Sequence, residues 1–180
     1  RALFYVPAMR HGAPQETDED RGNAILSTGP LSELSAIELP FERQRRVAVT
    51  ATVQGRGQDG EPWALHVTNA HLENRGGPRR LGILSVVSRL RQVRHLLRET
   101  PASGPAVLAG DLNTWFGFAE PAYRALTKVF PGEARSDPRP TFGRLLRLDH
   151  MLFRVPDTWD QATIRLDRFG SDHHPLLARI

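Results

Sequence analysis

A change of hydrophobic period near the middle of this chain constrains its fold more than any other feature. Arg46–Gln54 (RVAVTATVQ) alternates every second residue, with Val47, Val49, Ala51 and Val53 on one face and Ala48, Thr50 and Thr52 on the other. Pro62–Leu72 (PWALHVTNAHL) alternates again and sets Trp63, Leu65, Val67, Asn69 and His71 on a common face. From Arg79 to Glu99 the apolar residues fall instead at Ile83, Val86, Val87, Leu90, Val93 and Leu97, the spacing of a helix stripe. Pro101–Pro105 stops that helix, and Ala106–Leu112 (AVLAGDL) reads as a compact buried strand. Two half-buried antiparallel strands, a crossover helix and another strand predict a mixed α/β sandwich.

The flanks add mostly strands. Ala2–Pro7 reads as one, and residues 10–21 as a polar loop. Gly22–Ser27 and Leu34–Leu39, separated by Thr28-Gly29-Pro30, are expected to form a hairpin. Glu120–Val129 is expected as a short helix with Pro121 in its first turn, and Arg147–Phe153, Thr163–Asp167 and Leu176–Ile180 as strands. The length of 180 residues suits one domain. No apolar run approaches the ~20 residues of a membrane-spanning helix.

Composition narrows the chemistry. With no cysteine, the chain has no disulfide framework, thiolate metal site or thiol nucleophile. Lys and Arg total 24 against 20 Asp and Glu, a net charge of +4, and Lys128 is the sole lysine. Such a balance permits an anionic partner without requiring one. Arg91, Arg94 and Arg98 lie off the helix stripe with His95, as a nucleic-acid-binding face or as the ordinary solvated face of a helix covering a sheet. Gly55-Arg56-Gly57-Gln58-Asp59-Gly60 spells a dinucleotide-binding fingerprint, but a strand follows it where a helix is needed, so it reads as a hairpin loop.

Two segments concentrate reactive side chains. Gly110-Asp111-Leu112-Asn113-Thr114-Trp115 places Asp111 and Asn113 two apart at the end of a buried strand. The carboxylate there can hold a hard cation and the carboxamide can donate to an anionic oxygen, or the two simply close the strand in an Asx turn. Gly170-Ser171-Asp172-His173-His174-Pro175 suits metal binding or proton transfer, or is a solvated loop, with His174 the bystander. His71 ends its strand beside Asn69. Asp149 lies in a largely apolar strand, where a buried carboxylate needs a partner such as histidine. His11, His66, His95 and His150 read as surface or structural residues. Trp115 and Phe116 either stack on substrate or cover the core.

Taken in order, GNAILS, NAHLEN, GDLNTW, RLDHMLF and GSDHHP resemble the endonuclease/exonuclease/phosphatase family of deoxyribonuclease-I-like metal-dependent phosphoesterases. The resemblance runs from about Gly22 to Ile180. It implies two packed β-sheets flanked by helices, a four-layer α/β/β/α sandwich, and Mg²⁺ or Mn²⁺ as cofactor. It implies that Asp111 positions or deprotonates the attacking water and is a metal ligand with Asp172. Asn113 contacts the phosphate, with Asn69 and Trp115 as further substrate-binding positions. His173 acts on the scissile phosphate, Asp149 orients it, and His71 stabilises or protonates the phosphoryl group. The partner implied is a phosphoester, a nucleic acid among the candidates, and the expected state is a monomer. The family normally carries an Asn strand and a Gln-Glu strand ahead of the GNAILS-like strand, the Glu being a principal metal ligand. Gln15-Glu16 spells that dipeptide in a polar loop without an apolar strand before it. The resemblance therefore reads these residues as the larger C-terminal part of the domain, binding Mg²⁺ weakly in isolation.

Overall fold

In the computed structural model, which describes residues 1–9, 21–42, 44–74, 83–132 and 137–180, every residue from Arg46 to Thr52 is buried. The strand expected to be half-buried is thus covered on both faces, and the layers on either side explain why. The elements run β1 (Ala2–Met9), β2 (Arg21–Ser27), β3 (Leu31–Leu39), β4 (Arg46–Arg56), β5 (Pro62–Asn69), α1 (Ile83–Glu99) and β6 (Ala106–Asp111). A 3₁₀ turn at Gly117–Ala119, α2 (Pro121–Val129), β7 (Asp149–Arg154), β8 (Ala162–Arg165) and β9 (Leu176–Arg179) complete them. Among the described residues no helix is long and apolar enough to cross a membrane.

The main sheet has the order β3-β4-β5-β6-β7. Its pairs are antiparallel except β5–β6, which are parallel, as a connection through a crossover helix requires. On one face Ile37, Leu39, Ala48, Leu108 and Leu152 pack against Val93, Leu96 and Leu126 of the two helices and Phe130 just past α2. On the other, the β1–β2 ribbon covers Val49 and Ala51 with Ile25, Phe4 and Val6. The β8–β9 ribbon lies over the cluster of Leu65, Val107 and Phe153, with Trp63, Trp159 and Ala178 packed at its margin. The expected α/β sandwich is therefore present. Both α-helices among the described residues lie on one side, which gives the order helix, sheet, sheet.

Gly22–Ser27 and Leu34–Leu39 do not form the expected hairpin. β2 pairs with β1, from Ala2↔Ser27 to Pro7↔Gly22, and β3 pairs with β4. The Thr28-Gly29-Pro30 turn carries the chain from one layer to the other, because Ile25 belongs to the core between the sheets and Ile37 and Leu39 to the core under the helices. The glycine-rich segment before β5 is a hairpin loop as expected, closed by Gly57 N–H donating to Glu61 O and Gly60 N–H to Gly57 O.

Helix α1 also departs from its sequence pattern. Val87, expected on the buried stripe, is 58% exposed, while Ser85, Ser88, Arg89 and Gln92 are buried with Val93 and Leu96. The inward face is polar in its first half because those groups hold neighbouring segments. Gln92 Oε1 accepts Glu73 N–H at 2.9 Å and its Nε2 donates to Pro40 O at 3.2 Å. Arg89, fully buried, pairs with the equally buried Glu120 and donates to Ser85 Oγ at 2.7 Å and Glu73 O at 3.2 Å. Glu120 Oε2 in turn accepts Phe116 N–H at 3.3 Å, so one ion pair joins α1, the end of β5 and the loop before α2. Removing one partner strands the other charge out of water, so Glu120→Gln is expected to lose about 3–5 kcal/mol in urea denaturation. Val87→Ala, at an exposed position, is expected to change stability by less than about 0.5 kcal/mol. Equal effects would contradict this role for the pair.

Candidate active site

Gly110 lies where β6 runs too close to β5 for any side chain. Its φ is +140°, and a Cβ there would sit 2.0 Å from Ala70 O. Glycine alone tolerates both. The next residue, Asp111, ends β6 directly opposite Asp149 at the start of β7. Directly opposed residues of an antiparallel pair share a face, so the two carboxylates converge.

Asp111 Oδ1 accepts Asn113 N–H at 3.0 Å, and Asn113 has φ +50°. This is the Asx turn open as an alternative in the sequence, and it forms without removing Asp111 Oδ2 from the site. The turn, not strand alternation, sets the direction of Asn113. Its carboxamide is buried and donates from Nδ2 to Leu72 O at 3.1 Å, fixing the segment that carries His71. Leu72 N–H also donates to Asp111 O at 3.0 Å. His71 Nε2 then lies 3.5 Å from Asp111 Oδ2.

His173 reaches the same place from the loop before β9. Its backbone N–H donates to Ser171 Oγ at 3.1 Å, its Nδ1–H donates to Asp149 Oδ2 at 2.7 Å, and its ring lies 4.8 Å from that of Phe142. Thr141, fully buried, joins the two partners' segments. Its Oγ1 accepts the N–H groups of Leu148 and Asp149, each at 3.0 Å, and its carbonyl accepts His174 N–H at 2.8 Å. His174 points elsewhere and donates from Nδ1 to Leu166 O at 2.8 Å, which suits the bystander role.

Ligand atoms of Asp111, Asp149 and His173 lie within 4.8 Å of one another. Asp172, expected beside Asp111 as a metal ligand, is exposed and outside this cluster, though its charge reaches His173. Burial, then the Asp149 carboxylate, push the Asp111 pKa up to about 6 against the opposing Asn113 N–H. Burial, with the positive charges of Arg46 and His173 beside it, pushes His71 down to about 4. For His173, burial acts downward, but the hydrogen bond and charge of Asp149, then Asp111 and Asp172, outweigh it and leave the pKa raised. At neutral pH the site holds a neutral imidazole at 71 and an imidazole disposed to carry a proton at 173. The donor set of carboxylates and an imidazole, with carboxylate charge the protein leaves poorly compensated, fits a hard divalent cation.

Other expected positions are placed differently. Asn69 Nδ2 donates to Ala24 O at 2.9 Å and so ties β5 to β2 across the layers. Trp115 is 42% exposed on the loop after Asn113, alongside exposed Phe116 and Phe118. His150 is buried with Nε2 2.8 Å from Thr114 Oγ1, a structural histidine as expected. Gln15, Glu16 and His11 lie outside the described residues. Thr141, Phe142 and Arg46 escaped sequence reasoning: Pro140-Thr141-Phe142 lies in an irregular stretch without periodicity, and Arg46 looked like the ordinary start of a strand.

The model of the Endonuclease/Exonuclease/phosphatase family matches residues 3–173. The chain belongs to that family. Among similar solved structures, an endonuclease/exonuclease/phosphatase from Beutenbergia cavernae DSM 12333 is 22% identical with a TM-score of 0.68, covering 98% of this chain and 52% of that one. This chain thus spans about half the length of the Beutenbergia protein. A mannosyl-6-phosphatase from Bacteroides thetaiotaomicron VPI-5482 is 16% identical, with a TM-score of 0.62 over 97% of this chain and 75% of that one. Sphingomyelinase C from Streptomyces griseocarneus is 20% identical, with a TM-score of 0.59 over 97% of this chain and 75% of that one. At these identities the likeness is one of fold. A search of the curated proteins finds no match to the chain.

Thr141→Val keeps the shape of the side chain but removes the acceptor for two N–H groups. Each orphaned donor costs about 1–3 kcal/mol. Denaturation is expected to show that loss, and the downfield proton NMR resonance of His173 Nδ1–H is expected to weaken or vanish. Thr141→Ser should retain both. A Thr141→Val protein with wild-type stability and an unchanged resonance would contradict this role.

Proposed function

We propose that this chain hydrolyses a phosphoester by attack of water, with Mg²⁺ or Mn²⁺ as cofactor and a phosphodiester as the preferred substrate. One observation carries the reading: the Asp149–His173 hydrogen-bonded pair converges with Asp111 and His71 at the shared end of β5, β6 and β7. That grouping supplies a base, an acid and neutral hydrogen-bond donation within reach of one phosphorus centre. Family membership supports phosphoester chemistry in general. A mannosyl-6-phosphatase and a sphingomyelinase C stand among the similar structures, which supports a phosphoester substrate without naming its alcohol.

Each side chain has a distinct part. Asp111, ionised above its raised pKa, orients the water and takes its proton. His71, neutral, donates from one ring nitrogen to a phosphoryl oxygen. His173, held by Asp149 in one tautomer and orientation, delivers the proton that the leaving oxygen needs. The second Nδ2 hydrogen of Asn113, not engaged by Leu72, is the remaining donor toward phosphate. Asp111 and Asp149 are the oxygen donors that would hold the cation, which supplies positive charge for the phosphoryl oxygens and a more acidic water. Two converging carboxylates, Asp111 and Asp149, disfavour a dianionic monoester more than a monoanionic diester.

The pH dependence follows from these shifts. Activity should rise with pH as Asp111 ionises, a transition that a bound cation draws below the value of about 6 it has without metal, then fall as His173 loses its proton above the ordinary histidine value. The Asp149 charge raises both values, so Asp149→Asn should move both limbs of the pH–rate profile toward lower pH. The same substitution should lower kcat by about a hundredfold, as a misoriented acid–base group does. Initial rates at fixed, saturating Mg²⁺ test this. Limbs that stay in place would sink the assignment of Asp111 and His173.

A further inference from the structure

A cavity of about 270 Å³ opens beside His71, and the mechanism above leaves it unused. Arg21, Asn23, Gln44, Arg46, His71 and Asn74 are among its walls. Arg46 is its unusual member. The residue is 2% exposed, and among the described residues its guanidinium has one hydrogen-bond acceptor, Gln44 Oε1, at 3.1 Å from NH2. Among the described residues its Nε has no acceptor. A guanidinium carries five N–H donors in a planar fork that matches the oxygens of phosphate or carboxylate. Burial pulls the Arg46 pKa down, against the through-space charges of Glu73 and Asp111. Burying a guanidinium is unfavourable unless an anion completes its hydrogen bonds. The cavity supplies the room, and the carboxamides of Asn23, Gln44 and Asn74 add neutral polar walls.

We propose that this cavity is an anion subsite next to the catalytic centre, and that the substrate carries a second phosphate group which Arg46 receives while the scissile phosphoester lies between His71 and His173. The inference rests on the phosphoesterase reading for the scissile group, but the subsite itself does not need catalysis. Its chemistry is shared by the neighbouring phosphate of a polynucleotide and by the second phosphate of a small bisphosphorylated molecule. Binding at Arg46 would draw the phosphoester toward His71, because His71 lines the same cavity and also faces Asp111.

Inorganic phosphate, titrated into the chain and followed by isothermal calorimetry and amide NMR, reads the subsite directly. Saturable binding with shifts at Asn23 and Asn74 is expected in the wild type, weakened at least tenfold in Arg46→Gln. Gln44 is exposed, so Gln44→Glu should leave the fold intact while placing a carboxylate against Arg46; it should weaken phosphate similarly. Two substrate arms then identify the source. One compares KM for a thymidine dinucleotide with and without a 5′-phosphate, the other KM for a sugar phosphodiester with and without a second phosphate. At least a tenfold lower KM for the extra phosphate is expected in one arm and should vanish in Arg46→Gln. Phosphate binding unaffected by both variants, or no KM advantage in either arm, would overturn the proposal. Arg46-dependent phosphate binding without hydrolysis of any substrate would support the subsite and count against the phosphoesterase reading instead.

Discussion

Two carboxylates, Asp111 and Asp149, stand directly opposite each other across the antiparallel pair β6–β7, an arrangement that ordinary sheet energetics disfavours. The consequences spread through the site. Asp111 resists ionisation, and Asp149 accepts a hydrogen bond from the imidazole of His173. The surrounding devices hold this opposition in place: Gly110 allows β6 to press against Ala70, the Asx turn claims one oxygen of Asp111, and Thr141 holds the backbone of Asp149. A sheet that violates its own pairing preference at one position and reinforces that position on every side is one shaped around chemistry.

The scaffold shows the same logic on the helix side. Helix α1 buries a stripe whose first half is Ser85, Arg89 and Gln92 in place of leucine and valine. Those groups satisfy backbone positions at Glu73 and Pro40 and, through Glu120, reach the loop that carries Phe116. Glu73 lies two residues beyond His71, and Phe116 three beyond Asn113. The helix thereby fixes two of the segments that border the reactive residues. Close packing alone would leave those loops without specific anchors.

Much of this was legible in the residues. The period-2 runs over 46–54 and 62–72 and the period-3.6 run after them fixed the β-β-α-β heart of the sandwich, because a parallel pair joined through a helix has few alternatives. The convergence of His71, Asp111, Asp149 and His173 was legible because each ends or borders a strand with its polarity out of keeping with its neighbours. Pairing across layers was not. The turn at Thr28-Gly29-Pro30 looks the same whether the strands beside it pair or part, and only the destinations of Ile25 and Ile37 decide. Helix α1 misled for a related reason, since Val87 carries the periodic signal while buried Arg89 and Gln92 depend on long-range partners 16 to 52 residues distant. Thr141 and Arg46 act through backbone contacts and burial, which no one-dimensional pattern encodes.

Joint action of Asp111 and the Asp149-held His173 on a phosphoester is what the proposed hydrolysis requires. Release of p-nitrophenol from bis(p-nitrophenyl) phosphate, measured with and without Mg²⁺ or Mn²⁺, tests it most directly. The expected result is metal-dependent hydrolysis that falls by about 10²–10⁴-fold in His173→Ala, the range for loss of a positioned acid–base group, and comparably in Asp111→Asn. Hydrolysis at the wild-type rate in both variants, with the same metal, would contradict it.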